Sequence, residues 1–236
     1  MWPAGSGHCW YSRDSSGQRQ GPGDNVFSSA NVAVDAGTGN LVVRVAQGPA
    51  DGAFTCGEVF LDRSLGHGDY VFVVQTDPSL MHPNLVASPF LYAENAPDGS
   101  SRELDVVEFA RWGQPSIPNS QFVVQPWTSN PPHVFNVSGV GHTHRMRWSG
   151  SGSPQQVQFE AYAADGALMR SWTNTGEASG LPAAGGGGAR CFGCLSRNSL
   201  ATAVGQLTVL DQYTAEGGVF LGYAKAAQWL ESQLQL

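Results

Sequence analysis

Charge is scarce in this chain. Only 13% of its 236 residues are Asp, Glu, Lys or Arg, and Lys plus Arg number 12 against 19 acids, for a net charge of -7. No basic stripe forms, so nucleic-acid binding, which draws on phosphate neutralisation, has no electrostatic basis. Long apolar runs are missing too: nothing approaches the roughly 20 residues that span a bilayer as a helix. Met1 to Gly7 carry neither the basic n-region nor the apolar h-region of a signal peptide. Cysteine is limited to Cys9, Cys56, Cys191 and Cys194. An even count in a polar, Gly-rich chain permits disulfides, with three pairings open. Cys191-Phe192-Gly193-Cys194 has the spacing of half a zinc site, but no second pair accompanies it, and a disulfide or free thiols is the simpler reading. His82, His133 and His142 are too dispersed to argue for a catalytic metal, so no metal ligands are assigned.

What is present is turn chemistry. The chain holds 30 Gly and 14 Pro, as many short strands joined by turns require. Leu41 to Val45, Glu58 to Leu61, Tyr70 to Gln75 and Gln121 to Gln125 read as strands, and Leu85 to Tyr92, interrupted by Pro89, as a bent or edge strand. His144 to Trp148 and Val157 to Tyr162 read as a hairpin pair. This spacing predicts a single all-β sandwich domain over 1–236 rather than βαβ units. The tail differs. Ala183 to Ala189 is nearly all Gly and Ala, a linker composition; Leu207 to Leu210 predicts one more strand; Tyr223, Ala227, Leu230 and Leu234 recur at the spacing of a short C-terminal helix. Asn136-Val137-Ser138 is a glycosylation sequon, informative only in a eukaryotic secretory context.

One hexapeptide stands apart. Glu103-Leu104-Asp105-Val106-Val107-Glu108 places three carboxylates among β-formers. Alternation along a strand points Glu103 and Asp105 one way and Leu104 and Val106 the other. Strict alternation would then send Glu108 into the core, where an unpaired carboxylate is very costly. A β-bulge at Val106 and Val107 resets the parity and returns Glu108 to the face of the other acids. Carboxylates held at fixed separation are the usual machinery of glycosidic bond cleavage. The bland alternative, a solvated acidic strand, gains nothing from crowding like charges on one face.

With these segments in order, the chain resembles glycoside hydrolase family 16. Asn40-Leu41-Val42-Val43 is similar to an early family strand. Cys56-Gly57-Glu58-Val59 and Leu65 to Phe72 resemble its G-E-[IV] … [FL]-G-Y-G-x-[FY] segment. Glu103 to Glu108 matches the longer form of its catalytic motif, E-x-D-x-x-E, and His142 to Trp148 resembles its F-H-x-Y-x-[IL]-x-W strand. The family-like part runs from about 25 to 172, and the tail, 183–236, is atypical. Where the family has Trp on the strand before the acids, this chain has Phe90 and Tyr92; its late sheet-closing strands are not legible after Gly180.

The resemblance implies a jelly-roll β-sandwich of two antiparallel sheets with a concave cleft. It implies Glu103 as nucleophile, Glu108 as general acid/base and Asp105 as the carboxylate that tunes them. It implies a retaining endo-glycoside hydrolase of endo-β-glucanase or galactanase type, with a β-1,3-glucan as the first-guess substrate. The alternative is a non-catalytic, lectin-like carbohydrate-binding protein on the same fold. Trp112, Gln125, Trp127 and Arg111 are the candidate substrate-binding residues, as aromatic platforms and hydroxyl partners; for Arg111 a solvated loop charge is the competing reading, and for Trp112 a packed loop aromatic. His144 is better read as structural. No cofactor is expected to be required, and a structural calcium is not readable from the sequence. The expected partner is a polysaccharide, with no nucleic acid and no membrane. A monomer, secreted or extracellular, is expected, the signal peptide not being present in this chain.

Overall fold

A computed structural model describes residues 10–20, 25–47, 54–61, 66–93, 102–150, 156–174, 181, 190–196 and 205–213. The strands in chain order are β1 (Trp10–Ser12), β2 (Arg19–Gln20), β3 (Asn25–Phe27), β4 (Val32–Val34), β5 (Leu41–Gln47), β6 (Phe54–Cys56), β7 (Glu58–Leu61), β8 (Gly68–Val74), β9 (Leu85–Ser88) and β10 (Phe90–Ala93). They continue with β11 (Arg102–Ala110), β12 (Ser120–Val124), β13 (His133–Phe135), β14 (His142–Ser149), β15 (Gln156–Tyr162), β16 (Leu168–Asn174), β17 (Arg190–Ser196) and β18 (Gly205–Tyr213). Among the described residues the only helical pieces are two single 3-10 turns, Ser29–Asn31 and Pro78–Leu80.

The strands form two sheets. The first runs β1-β7-β17-β9-β11-β12-β13, with β10 also paired to β11; the second runs β16-β15-β14-β8-β18-β5-β6-β3-β2, with β4 paired to β5. Pairings are antiparallel apart from β3 with β6. This is the expected jelly-roll sandwich. The late strands that the sequence hides are present: β17 lies between β7 and β9, and β18 between β5 and β8, each in the interior of its sheet. The strand read at Leu207 to Leu210 is the middle of β18. Cys191 and Cys194 lie on β17. Cys9, the Gly/Ala segment 183–189 and the proposed C-terminal helix lie outside the described residues.

Leu85 to Tyr92 departs from expectation. It is two strands flanking Pro89, and β9 is not an edge: it pairs with β17 on one side and β11 on the other. Proline sits in the gap, where its missing N–H costs no ladder bond. The hairpin reading holds, with β14 and β15 in continuous register from Thr143–Tyr162 to Ser149–Gln156.

The core lies between the sheets. Leu104, Val106, Val107, Phe109, Phe122 and Val124 from the first sheet meet Phe72, Met146, Trp148 and Phe159 from the second, all buried. Ring stacking closes one side of the sandwich, from Phe135 to Phe122 (4.7 Å), Phe122 to Phe159 (5.3 Å), Phe159 to Trp172 (5.2 Å) and Trp172 to His133 (4.1 Å). Such pairs add to the area they bury.

Two histidines share this core. His142 and His144 approach with Nδ1 of the first 2.7 Å from Nε2 of the second, and His142 Nε2 lies 3.0 Å from the Thr76 carbonyl. A carbonyl only accepts, so His142 Nε2 carries a hydrogen and its neutral Nδ1 must accept from His144 Nε2–H. That leaves His144 Nδ1 as a bare lone pair, buried without a donor. Both rings abut Phe109 edge-on. Burial pushes the His142 imidazole down to about 4 and that of His144 well below its ordinary value, so both are neutral near pH 7. His144 is thus a core residue, as the sequence suggests.

Candidate active site

The acids stand on β11, and its register explains how. Leu104 pairs with Val124 and Asp105 with Val123, but Glu108 pairs with Gln121 and Phe109 with Ser120. Three steps along β11 oppose two along β12, which is one extra residue and hence the expected bulge. Val106 and Val107 both enter the core, fully buried. The Val106 N–H, displaced from the ladder, donates to the Pro89 carbonyl (2.9 Å). Parity is reset, and Glu103, Asp105 and Glu108 occupy the face opposite Leu104 and Phe109.

Cross-strand partners share a face, so the register also names the neighbours of the acids. Tyr92 lies beside Glu103 and Phe90 beside Asp105 on one flank. On the other, Val123 lies beside Asp105 and Gln121 beside Glu108. Gln125 continues this row, its N–H donating to the Glu103 carbonyl (2.9 Å). Phe90 and Tyr92 on β10 therefore flank the acids on their own face.

The carboxyls are tied to one another and to the sheet. Asp105 is hydrogen-bonded to Glu103, and the Ser88 hydroxyl donates to Asp105 Oδ1 (3.0 Å). The Gln121 amide donates to Glu108 Oε2. Burial, then the charges of Glu103 and Glu108, hold Asp105 well above the usual carboxylate range. The hydrogen bond between them raises Asp105 and lowers Glu103, as it does when Asp105 donates to the Glu103 carboxylate. Glu103 itself is raised to about 7, first by burial and then by the charge of Glu108, with Asp105 opposing. Glu108 is also raised to about 7. Burial does it, and the Gln121 amide works against it. Two carboxyls titrating near 7 hold about one proton between them at neutrality, the state that acid-plus-nucleophile chemistry needs.

A fourth carboxylate, which the sequence places in a strand and in a family-like segment but not among the acids, also bears on the site. Glu58 on β7 pairs across Gly193 of β17 with Ser88 of β9, so Glu58 and Ser88 share a face. Its charge contributes to raising Glu103. Arg13 grips Glu58 Oε2 at 2.8 Å and rests its guanidinium 3.7 Å from the centre of the Phe27 ring. Only the closure of the sheet by β17 brings this pair alongside the acids, which local pattern does not announce.

The candidate binding residues divide. Gln125 lies just past the end of β12 beside Glu103, and Trp127 follows two residues later. Trp127 is 60% exposed, and its N–H is held by Gln125 Oε1 at 3.0 Å, after a cis Gln125–Pro126 bond. Trp112 is half-buried just past β11 with φ 51, a left-handed conformation that is uncommon for a bulky residue. Arg111 spends both terminal nitrogens on backbone carbonyls, NH1 to Met81 (3.2 Å) and NH2 to Ser79 (3.0 Å). It fastens the 3-10 turn at Pro78–Leu80, and the solvated-charge reading does not describe it either. No group of His, Cys, Asp and Glu suited to a metal occurs among the described residues.

Solved structures share this fold. The Bacillus licheniformis β-glucanase superposes with a TM-score of 0.61 at 19% identity, covering 88% of this chain and 91% of that one. A family 16 endo-glucanase from Bacteroides ovatus gives 0.59 at 9% identity over 85% and 92%. Rv0315 of Mycobacterium tuberculosis, described as an immunostimulatory antigen and pseudo β-1,3-glucanase, gives 0.54 at 20% identity over 84% and 88%. No protein-family model matches the chain, and no curated protein matches it. The fold is that of glycoside hydrolase family 16.

Proposed function

We propose that this protein is a retaining endo-glycoside hydrolase acting on a β-linked polysaccharide, with a β-1,3-glucan as first substrate. The observation that carries the reading is the bulged strand, which sets Glu103, Asp105 and Glu108 on one face with Asp105 bonded to Glu103. The same-fold β-glucanases support the substrate class.

In the first step the Glu103 carboxylate attacks the anomeric carbon. The bond from that carbon to the leaving oxygen breaks, its electron pair stays on oxygen, and Glu108 supplies the proton. Asp105, protonated, holds the attacking carboxylate in place. In the second step a water attacks the same carbon, Glu108 as carboxylate takes the water's proton, and the bond to Glu103 breaks. Both steps need the carboxyls about 5 Å apart. Phe90, Tyr92 and the exposed face of Trp127 supply apolar surface for sugar rings, and Gln125 a partner for hydroxyls.

A second reading is sugar binding without turnover. It is favoured by one fact, that a protein of this fold is described as a pseudo β-1,3-glucanase. The two separate cleanly. Reducing-sugar assays across laminarin, lichenan, agarose, carrageenan and xyloglucan should find cleavage of at least one. Glu103→Gln should abolish it while leaving affinity for that polysaccharide largely intact. Glu108→Ala should slow cleavage by orders of magnitude, less for substrates with good leaving groups, and azide should partly restore it. A wild-type protein that binds glycans and never cleaves them would install the binding reading instead.

A further inference from the structure

We propose that Gln121 is a positioning residue for the general acid: its side-chain amide holds one oxygen of Glu108 so that the transferable proton resides on the other. This rests on the hydrolase reading above and adds to it a residue outside the acid hexapeptide.

The geometry begins with the bulge. Asp105 pairs with Val123, so an unbulged strand would set Val107 opposite Gln121. The extra residue replaces that valine with Glu108. One backbone irregularity therefore both turns Glu108 onto the acid face and brings the Gln121 amide opposite it. Gln121 is not free to wander. Its strand is paired on both sides, to β11 through Glu108 and to β13 through Val134. Phe122, its neighbour, is fully buried in the aromatic stack.

The chemistry follows from the donor. The amide N–H points at Glu108 Oε2, and an N–H can only donate. The carbonyl oxygen of a carboxylic acid accepts better than its hydroxyl oxygen, so with Oε2 accepting from the amide the hydrogen of protonated Glu108 belongs on Oε1. The bond is also stronger to a carboxylate than to a carboxylic acid. It therefore tightens as the proton leaves for the glycosidic oxygen, stabilising charge that develops on a half-buried group. This opposes burial, in keeping with the direction in which Gln121 moves Glu108.

The test is Gln121→Met, which keeps length and loses the donor, with Gln121→Thr, too short to reach, as a second variant should the first fold poorly. Titration of the Glu108 carboxyl by side-chain carbon NMR should place its midpoint higher in the variant by roughly 0.5–1 pH unit. On a substrate the wild type cleaves, the alkaline limb of kcat/KM should rise by the same interval. In addition, kcat should fall roughly tenfold on natural linkages but much less on aryl glycosides with good leaving groups, with KM little changed. A residue that merely supported the fold would depress all substrates alike and leave the limb in place. An unmoved Glu108 midpoint in a folded variant overturns the proposal. A wild type without turnover would sink the hydrolase reading, and the NMR midpoint would still decide whether Gln121 governs Glu108.

Discussion

Replacing Glu103 with glutamine should make the protein more stable, and increasingly so as pH rises. The wild-type carboxyl is raised from 4.5 to about 7 by its surroundings. A raised acid contributes stability that is fully present below its unfolded value and lost as pH climbs through the folded one. At about pH 8 both states ionise, and the folded state bears the full difference, roughly 3 kcal/mol. At about pH 5 the folded acid is still protonated and the penalty is only about 1 kcal/mol. Glutamine never ionises, and its carbonyl still accepts from Asp105. The variant should therefore gain about 1 kcal/mol at the lower pH and about 3 at the higher, the increment alone worth about 4–8 °C in Tm for a domain this size. Urea melts of both proteins at the two pH values measure it. A gain that does not grow with pH, or a loss at both, would refute the claim that its surroundings raise the Glu103 carboxyl. That stability is forgone for an ionisable group is the expected signature of a functional site.

The histidine pair predicts the opposite limb. His142 and His144 are depressed, so their contribution is present above about pH 6.5 and lost as pH falls towards 4; the double change to His142→Leu and His144→Leu should flatten acid unfolding followed by circular dichroism, and an unaltered acid midpoint would count against the buried pair. Trp127→Ala should leave Tm unchanged, since the ring is largely exposed, while weakening polysaccharide affinity by affinity electrophoresis; undiminished affinity removes it from the site. Arg111→Ala should lower stability by about 1–3 kcal/mol through the released carbonyls of Ser79 and Met81, with KM unchanged; a raised KM with intact stability would return Arg111 to the substrate.

The acid strand was legible because burial and period conflict within six residues, and only a bulge resolves them. The β14–β15 hairpin was legible for a related reason, alternation around an evident turn. Strand β17 was not. Its Cys-Phe-Gly-Cys lacks alternation, and its membership is decided by pairing with β7 and β9, more than 90 residues earlier in the chain. Glu58 beside the acids and Gln121 against Glu108 were missed for the same reason. Both depend on register between distant strands, which no local pattern carries. Pro89 misled because a proline was weighed against one continuous strand rather than as the gap between two.

The positions of β17 and β18 bear on how the molecule comes into being. Synthesis runs from the N-terminus, and both sheets have the last of their described strands inserted in the interior rather than added at a rim. Until Arg190 to Tyr213 have left the ribosome, β7, β9, β5 and β8 each present an unpaired edge. Such edges are templates for association with other chains. A nascent or truncated chain ending near residue 175 should thus carry two split sheets and aggregate, even though every candidate catalytic carboxylate is already made. Strands β17 and β18 join the halves, and with them the glutamate on β7 first meets the acids on β11.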